Sequence, residues 1–300
     1  MDNSLIIYVG NICNNNCIMC SVDGDVKNPV DCNILSKKLE KRATDKESVH
    51  FTGGEATEHP KIIELFKIAN NLGYKDISIS TNGRNFANKS FTSDLIELGL
   101  NHANITIHGP REVHNEIIGE KGYDQAMEGL NNLIQSGVSI KLDSVLVKKN
   151  IDHIRKLWDE AYGMGVEYIG LADLIPHNKI DIFDELMIKY KRKKIFFYEN
   201  VDFFLKIKLF QATNFPRCIL PIKVPANFSN VTQYDKEKDW SFEGLSNKGG
   251  SKRRKKIDLC QKCLYNKRCY GFRKENINKF GLVDIEKMME FDNFLEKNKK

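Results

Sequence analysis

Between Leu5 and Leu171, short apolar runs alternate with amphipathic stretches, and this alternation limits the fold more than any other feature of the chain. Leu5 to Val9 reads as a strand closed by Gly10, and Val49-His50-Phe51-Thr52 as a second closed by Gly53-Gly54. A helix is expected next. Pro60 suits its first turn, Ile62, Leu65, Phe66, Ala69 and Leu72 recur at helical spacing, and Gly73 stops it. The strand Ile77 to Ser80, the turn Asn82-Gly83, a helix around Ser93 to Leu98 and the strand Asn104 to Ile107 continue the pattern. A helix carrying Ala126, Met127, Leu130, Leu133 and Ile134 ends at Gly137. The strand Ile140 to Val147, a helix with Ile154, Leu157, Trp158 and Ala161, and the strand Tyr168 to Leu171 complete it.

Six strand–helix units in a row predict parallel strands with helices packed outside them. Six is too few for a closed eightfold barrel, so the expected fold class is α/β, a partial and open (βα)6 TIM-like barrel. Chemistry in such a fold belongs at the C-terminal ends of the strands, where the loops converge. After Asp173 the pattern changes. Residues 183–210 are rich in Phe, Ile and Lys and look helical, and from Pro216 the chain turns irregular, with Pro221, Pro225 and Gly249-Gly250. We therefore divide the chain into a core domain over 1–210 and a small irregular domain over 211–300. A small region with little core needs a staple.

The 300 residues are 41% hydrophobic, enough for a sizeable core. Much of the net charge of +6 sits in Lys252-Arg253-Arg254-Lys255-Lys256 and in the C-terminal Lys297, Lys299 and Lys300, which read as a solvated loop and tail. No recognition motif accompanies these runs, so nucleic acid is not expected as a partner. No apolar stretch is long enough to span a bilayer, and Leu5 to Val9 is too short for a signal peptide. The expected location is the cytoplasm. Thiols stay reduced there, so cysteines read as metal ligands or nucleophiles. The eight cysteines fall into two groups separated by an empty middle: Cys13, Cys17, Cys20 and Cys32, then Cys218, Cys260, Cys263 and Cys269.

Cys13-Asn14-Asn15-Asn16-Cys17-Ile18-Met19-Cys20 places three thiolates in one short loop. Three thiolates can hold three irons of a cubane and leave the fourth open for a small molecule. Zinc completed by a distant fourth cysteine is the alternative from this motif alone. The Cys13-x3-Cys17-x2-Cys20 spacing resembles the radical S-adenosylmethionine (SAM) signature, with Met19 where that family usually has an aromatic residue. Thr52-Gly53-Gly54-Glu55-Ala56-Thr57 resembles the family's stretch that hydrogen-bonds the SAM amino group. Ser80-Thr81-Asn82-Gly83 also resembles it. The resemblance runs from about Leu5 to Leu171 and is nearest the group of molybdenum-cofactor, pyrroloquinoline-quinone and peptide-maturation enzymes. It implies a four-iron four-sulfur cluster on Cys13, Cys17 and Cys20, and SAM held by Gly53, Gly54, Glu55, Ser80, Asn82, Thr106 and Asn150. It also implies a flavodoxin-type reductase as electron donor. His108 and His114 are read as structural and given no chemistry, and Cys32, with no cysteine or histidine close in sequence, as a buried or surface free thiol.

Cys260-Gln261-Lys262-Cys263 with Cys269, and Cys218 as a fourth ligand, can close a second site. It resembles the single-cluster form of the auxiliary domain, called twitch or SPASM, that follows many radical SAM barrels. A four-cysteine zinc site needs the same ligands. The irregular C-terminal domain is therefore expected to be an iron–sulfur domain. The function expected is oxidative modification of a small metabolite or a ribosomally made peptide. The start of the cluster loop at Cys13 leaves no leader-binding domain before it, which favours a small substrate or separate recognition protein. The rival is a non-catalytic iron–sulfur electron carrier or a zinc-stabilised binding module.

Overall fold

The computed structural model describes residues 4–20, 22, 28–44, 47–175, 180–221, 228–231, 253–263, 266–267 and 269–297. Pro225, Gly249-Gly250, Lys252, Lys299 and Lys300, singled out above, lie outside the described residues. The chain divides into two compact units, one of Met1–Ser144 with Asp152–Ile169, the other of Val145–Ile151 with Gly170–Lys300.

The first unit begins β1 (Ser4–Tyr8), α1 (Cys32–Arg42), β2 (Ser48–Thr52), α2 (Ile62–Asn71), β3 (Asp76–Thr81) and α3 (Lys89–Glu97). It continues through β4 (Leu100–Thr106), α4 (Arg111–Ile118), α5 (Tyr123–Gln135), most of β5 (Ser139–Leu146) and α6 (Ile154–Gly163). The pairs β1–β2, β2–β3, β3–β4 and β4–β5 are all parallel. Strand order is chain order and the sheet is open rather than closed into a ring, as the strand–helix alternation predicts. The period-2 pattern decides which face meets the helices. Val49, Phe51, Ile77, Ile79, Ala103 and Ile105 are fully or almost fully buried, and Phe51 stacks on Phe66 of α2 with centroids 4.8 Å apart. Their neighbours His50, Ser78, Ser80, Asn104 and Thr106 take the opposite face and stay half-buried.

Two helices of this unit escaped the sequence reading. The first, α1, is polar along most of its length and buries only Leu35 and Leu39; Asp31 caps its N-terminus by accepting from Asn33 N–H and Ile34 N–H. Cys32 is its first residue. The second, α4, is a short insert between β4 and α5 that buries His114, Ile117 and Ile118.

The second unit contains the end of β6 (Tyr168–Asp173), then α7 (Ile180–Leu186), α8 (Tyr190–Glu199) and α9 (Val201–Phe204). The strands β7 (Leu209–Thr213) and β8 (Phe228–Val231) form a parallel pair. A short antiparallel pair, β9 (Arg254–Lys255) with β10 (Phe272–Arg273), and the helices α10 (Lys274–Phe280) and α11 (Leu282–Lys297) follow. The aromatic run expected to be helical packs its rings inward. Phe197 meets Phe196, Phe204, Phe210 and Phe215 at centroid distances of 5.0 to 6.4 Å. The basic run is not wholly a solvated loop. Arg254 is buried in β9, where Nη1 donates to Gly271 O at 3.1 Å and Nη2 to Asn214 O, while Lys255 points outward. No helix among the described residues is long and apolar enough to cross a membrane.

Candidate metal and cofactor sites

The cysteine loop leaves the C-terminal end of β1 and is clamped between two neighbours. On one side Gly54 N–H donates to Gly10 O at 2.8 Å and Glu55 N–H to Ile12 O at 2.7 Å. On the other, Asn16 N–H donates to Ile118 O at 2.8 Å and Ile18 N–H to Ile117 O at 3.0 Å. The short insert α4 thus supplies half of the clamp. The glycines after β2 are required by this closeness. A Cβ at Gly53 would stand 2.4 Å from Gly10 O, and one at Gly54 would stand 2.4 Å from Ile12 O. The backbone these glycines admit is that of the cysteine loop.

Two of the three asparagines between Cys13 and Cys17, Asn14 and Asn15, anchor the loop to the segments that follow β2 and β3. Asn14 Nδ2 donates to Glu58 Oε1 at 2.9 Å, and Asn14 Oδ1 accepts from Asn82 Nδ2 at 2.6 Å. Arg84 Nη1 donates to Asn14 O and, at 2.8 Å, to Asn15 Oδ1. Asn15 N–H points at Cys13 Sγ, 3.4 Å away, a contact that stabilises negative charge on sulfur. Tyr8, the last residue of β1, has its phenol pushed up by burial and by the Cys20 thiolate near it.

Glu55 is 1% exposed, and its carboxylate accepts four hydrogen bonds. Oε1 takes Thr57 N–H at 3.0 Å, Thr57 Oγ1 at 2.6 Å and Thr81 Oγ1 at 2.8 Å; Oε2 takes Asn82 N–H at 2.6 Å. Burial raises its pKa and these donors oppose the rise. Glu55 therefore ties the end of β2 to the end of β3, and through Asn82 it reaches the cysteine loop.

The other residues expected to meet SAM separate. Ser80 Oγ lies 2.8 Å from His50 Nε2, and Ser78 Oγ 2.9 Å from His50 Nδ1, on the half-buried face of the sheet. Burial and the Lys141 ammonium push His50 down to about 4, against the pull of Asp76. Thr106 ends β4 on this face, and its hydroxyl makes no hydrogen bond among the described residues. Asn150, fully buried, belongs to the second unit. Its Oδ1 accepts from Val147 N–H and its Nδ2 donates to Val145 O, both at 2.8 Å, within its own turn. His108 N–H donates to His114 Nδ1 at 3.0 Å. Both rings are buried and neutral; burial, helped by the other ring, holds His108 at about 3, and burial with the Arg84 charge holds His114 at about 4.

Arg84, Glu58 and His50 were missed by the sequence reading. The alternation Val49-His50-Phe51 carried a signal for His50, since it sets the imidazole on the face away from the helices. Arg84 carried none beyond its place after the Asn82-Gly83 turn.

In the second unit Cys218, Cys260, Cys263 and Cys269 line one small cavity with Arg217, Lys256 and Asn266. Burial and the neighbouring Cys269, Cys263 and Cys260 push the Cys218 thiol up, against the pull of Lys194. Gly271 N–H points at Cys269 Sγ, 3.4 Å away, repeating the contact at Cys13. No set of three His, Cys, Asp or Glu side chains among the described residues is gathered to hold a single metal ion. Four thiols around one cavity fit a closed four-iron cubane, and they equally supply the four ligands of a zinc ion. None of the cysteines is in a disulfide among the described residues.

Comparison with known proteins agrees with this geometry. The chain is 33% identical over 181 residues to a probable GTP 3',8-cyclase of Saccharolobus islandicus (strain L.S.2.15 / Lassen #1), covering 57% of each protein. It is 28% identical over 208 residues to a probable GTP 3',8-cyclase of Saccharolobus solfataricus, covering 64% of this chain and 66% of that one. The chain thus spans a little over half the length of the first of these curated relatives. Among solved structures, Streptococcus suis SuiB bound to S-adenosylmethionine superposes with a TM-score of 0.62 at 15% identity, over 92% of this chain and 74% of that one. Native anSMEcpe with bound AdoMet superposes with a TM-score of 0.63 at 14% identity, over 98% of both. These two show the fold. The model of the Radical SAM superfamily matches residues 7–161, more than half of the chain and all of the first cysteine loop and the strand ends that clamp it, so the chain belongs to the radical SAM superfamily, whose membership implies a four-iron four-sulfur cluster and SAM.

Proposed function

We propose that the chain cleaves SAM reductively at a cluster held by Cys13, Cys17 and Cys20, and uses the 5'-deoxyadenosyl radical to modify a small metabolite or a peptide oxidatively. The observation that carries this reading is the clamp on the cysteine loop, in which Gly54, Glu55, Asn82 and Arg84 converge on residues 10–15. Such a web presents three thiols in one place and leaves the strand-end rim beside them for SAM. The residues of this rim play two parts. Gly53, Gly54, Glu55 and Asn82 position the loop, and Ser80 and Thr106 offer hydroxyls on the half-buried face. Asn150, in the second unit, spends its side chain within its own turn.

Cys218, Cys260, Cys263 and Cys269 hold a second four-iron cluster, which takes an electron from the substrate radical or places the substrate. Four thiols on one cavity support a closed metal site, and the radical SAM core in the same chain favours a cluster there over zinc. The relatives named as GTP cyclases support a small substrate. The similarity to SuiB, which has been solved bound to its precursor peptide SuiA, supports a peptide. A flavodoxin-type donor supplies the electron, and the cytoplasm is the proposed location. The test is anaerobic. Reconstituted, dithionite-reduced protein should turn SAM into methionine and 5'-deoxyadenosine; intact SAM after many hours with a full cluster would sink the proposal.

A further inference from the structure

Four buried cations gather in the second unit: Lys193 and Lys194 of α8, Arg254 of β9 and Arg273 of β10. One carboxylate stands among them. Asp173 accepts from Lys193 Nζ at 2.5 Å and lies 3.8 Å from Arg273 Nε. Asp284, the other buried carboxylate of this unit among the described residues, is engaged at the start of α8, by Tyr190 N–H at 2.7 Å and Lys191 N–H at 3.4 Å. Charge of one sign held out of water costs free energy until opposite charge compensates it. Two of these cations act on the cysteines. Burial and Cys269 push the Cys218 thiol up, and Lys194 pulls it back. Burial and Arg273 push the Arg254 guanidinium down, and Asp173, Tyr190 and Cys269 pull it back.

Arg254 also holds the backbone that faces one sulfur. Its Nη1 donates to Gly271 O at 3.1 Å, and Gly271 N–H points at Cys269 Sγ, 3.4 Å away. Gly271 has φ 82°, and a Cβ there would stand 2.3 Å from Lys255 O, so only glycine fits this close to β9. We propose that Arg254 is a positioning residue for the second cluster and, together with Gly271 and Lys194, raises its reduction potential. This rests on the reading that Cys218, Cys260, Cys263 and Cys269 hold iron. A cluster on four thiolates is a net anion and gains one further negative charge on reduction. Fixed positive charge therefore stabilises the reduced form more than the oxidised one, and a backbone N–H on a ligand sulfur acts in the same direction. Arg254 supplies both, the charge directly and the N–H through its hold on Gly271.

The test reads a potential and needs no substrate. The full chain, reconstituted anaerobically, is titrated with reductant and followed by electron paramagnetic resonance; added SAM marks the signal of the first cluster. Arg254→Met should make the second cluster harder to reduce by at least tenfold in its reduction equilibrium, about 59 mV for a one-electron couple. Arg254→Lys, which keeps the charge, should recover part of the shift. The first cluster should titrate as in the unaltered chain. Lys255→Ala removes one charge from an exposed position next to Arg254 and should leave both potentials unchanged. Where circular dichroism shows that Arg254→Met has lost its fold, Lys194→Met, on a separate element, carries the same expectation. Full iron with an unmoved second potential overturns the proposal, and so does an equal shift in Lys255→Ala, which would mark a general charge effect. Zinc in place of iron at the second site overturns the cluster reading and this proposal together, and metal analysis tells that failure from the other two.

Discussion

The two cysteine sites are built on opposite plans. The first lies within eight consecutive residues and is fixed by a polar web to the ends of three successive parallel strands. The second draws Cys218 from one segment and Cys260, Cys263 and Cys269 from another, more than forty residues on, next to a strand pair only two residues long. A loop held by glycine contacts and side-chain hydrogen bonds keeps its shape before any metal arrives. A site assembled from distant, irregular segments gains much of its order from the metal itself. The first plan suits a cluster that must leave one iron open, because the scaffold and not the fourth ligand defines the geometry. The second suits a closed cluster.

The contrast breaks most sharply if single cysteines are removed. Cys17→Ala should abolish SAM cleavage, since two thiolates cannot seat the open-iron cluster, while circular dichroism stays close to that of the unaltered chain. Cys263→Ala should keep uncoupled SAM cleavage, lose substrate turnover, and expose the region after residue 211 to proteolysis. A well-folded Cys263→Ala protein that turns over substrate at the full rate would make the second site structural. Tightly bound zinc in that site, beside iron in the first, would remove its redox role.

The next largest effect is expected at Gly54. A valine there drives a side chain into Ile12 O and Asn11, both backbone of the cysteine loop. Gly54→Val should therefore cost the first cluster outright, about four of about eight irons per chain, and not merely blunt its response to SAM. Iron analysis with electron paramagnetic resonance separates the outcomes. Full iron content with a normal SAM-induced change would show that the loop tolerates displacement and that the clamp has been overrated.

The same contrast explains what could be read from the sequence. Parallel strands with outer helices were legible because Val49, Phe51, Ile77 and Ile79 alternate at period 2, and Ile62, Leu65, Phe66 and Ala69 recur at helical spacing. The cysteine triplet was legible because its ligands are local. Nothing local signalled that Glu55 and Asn82 would be turned toward the loop, because four hydrogen bonds to one buried carboxylate are a tertiary fact. Helix α1 escaped because its apolar face is only Leu35 and Leu39, and β9 because a charged pair looks solvated until its partner strand is known.

A smaller effect is expected from Arg84, which holds the loop by charge-assisted hydrogen bonds to Asn14 O and Asn15 Oδ1. Each such bond contributes about 1.5–3 kcal/mol. Arg84→Met should leave the fold intact and the second cluster full, and should shorten the lifetime of the first cluster under a chelator severalfold. If both clusters are lost at the same rate, the anchor belongs to general stability and the two sites are less independent than their plans suggest.

The smallest effect concerns pH, and it sharpens how far the first unit is stable without metal. His50, His108 and His114 all lie in that unit, with folded-state values of about 4, about 3 and about 4. An unfolded chain binds protons at histidine near pH 6.5. As pH falls below that, the unfolded state takes up protons that the folded state refuses, so stability drops from about pH 6.5 towards pH 4 and is full above it. Each such proton weakens the folded state by about 1.4 kcal/mol per pH unit, so three set an upper slope of about 4. His50 is half-buried and contributes less than the other two. Denaturant titrations of metal-free protein at pH 7, 6 and 5 should show this loss, and His50→Gln should make the slope shallower. A flat profile between pH 6.5 and 5 would mean that the three rings are charged or solvated in the folded chain, and the clamp beside Arg84 and His114 would then be looser than its hydrogen bonds imply.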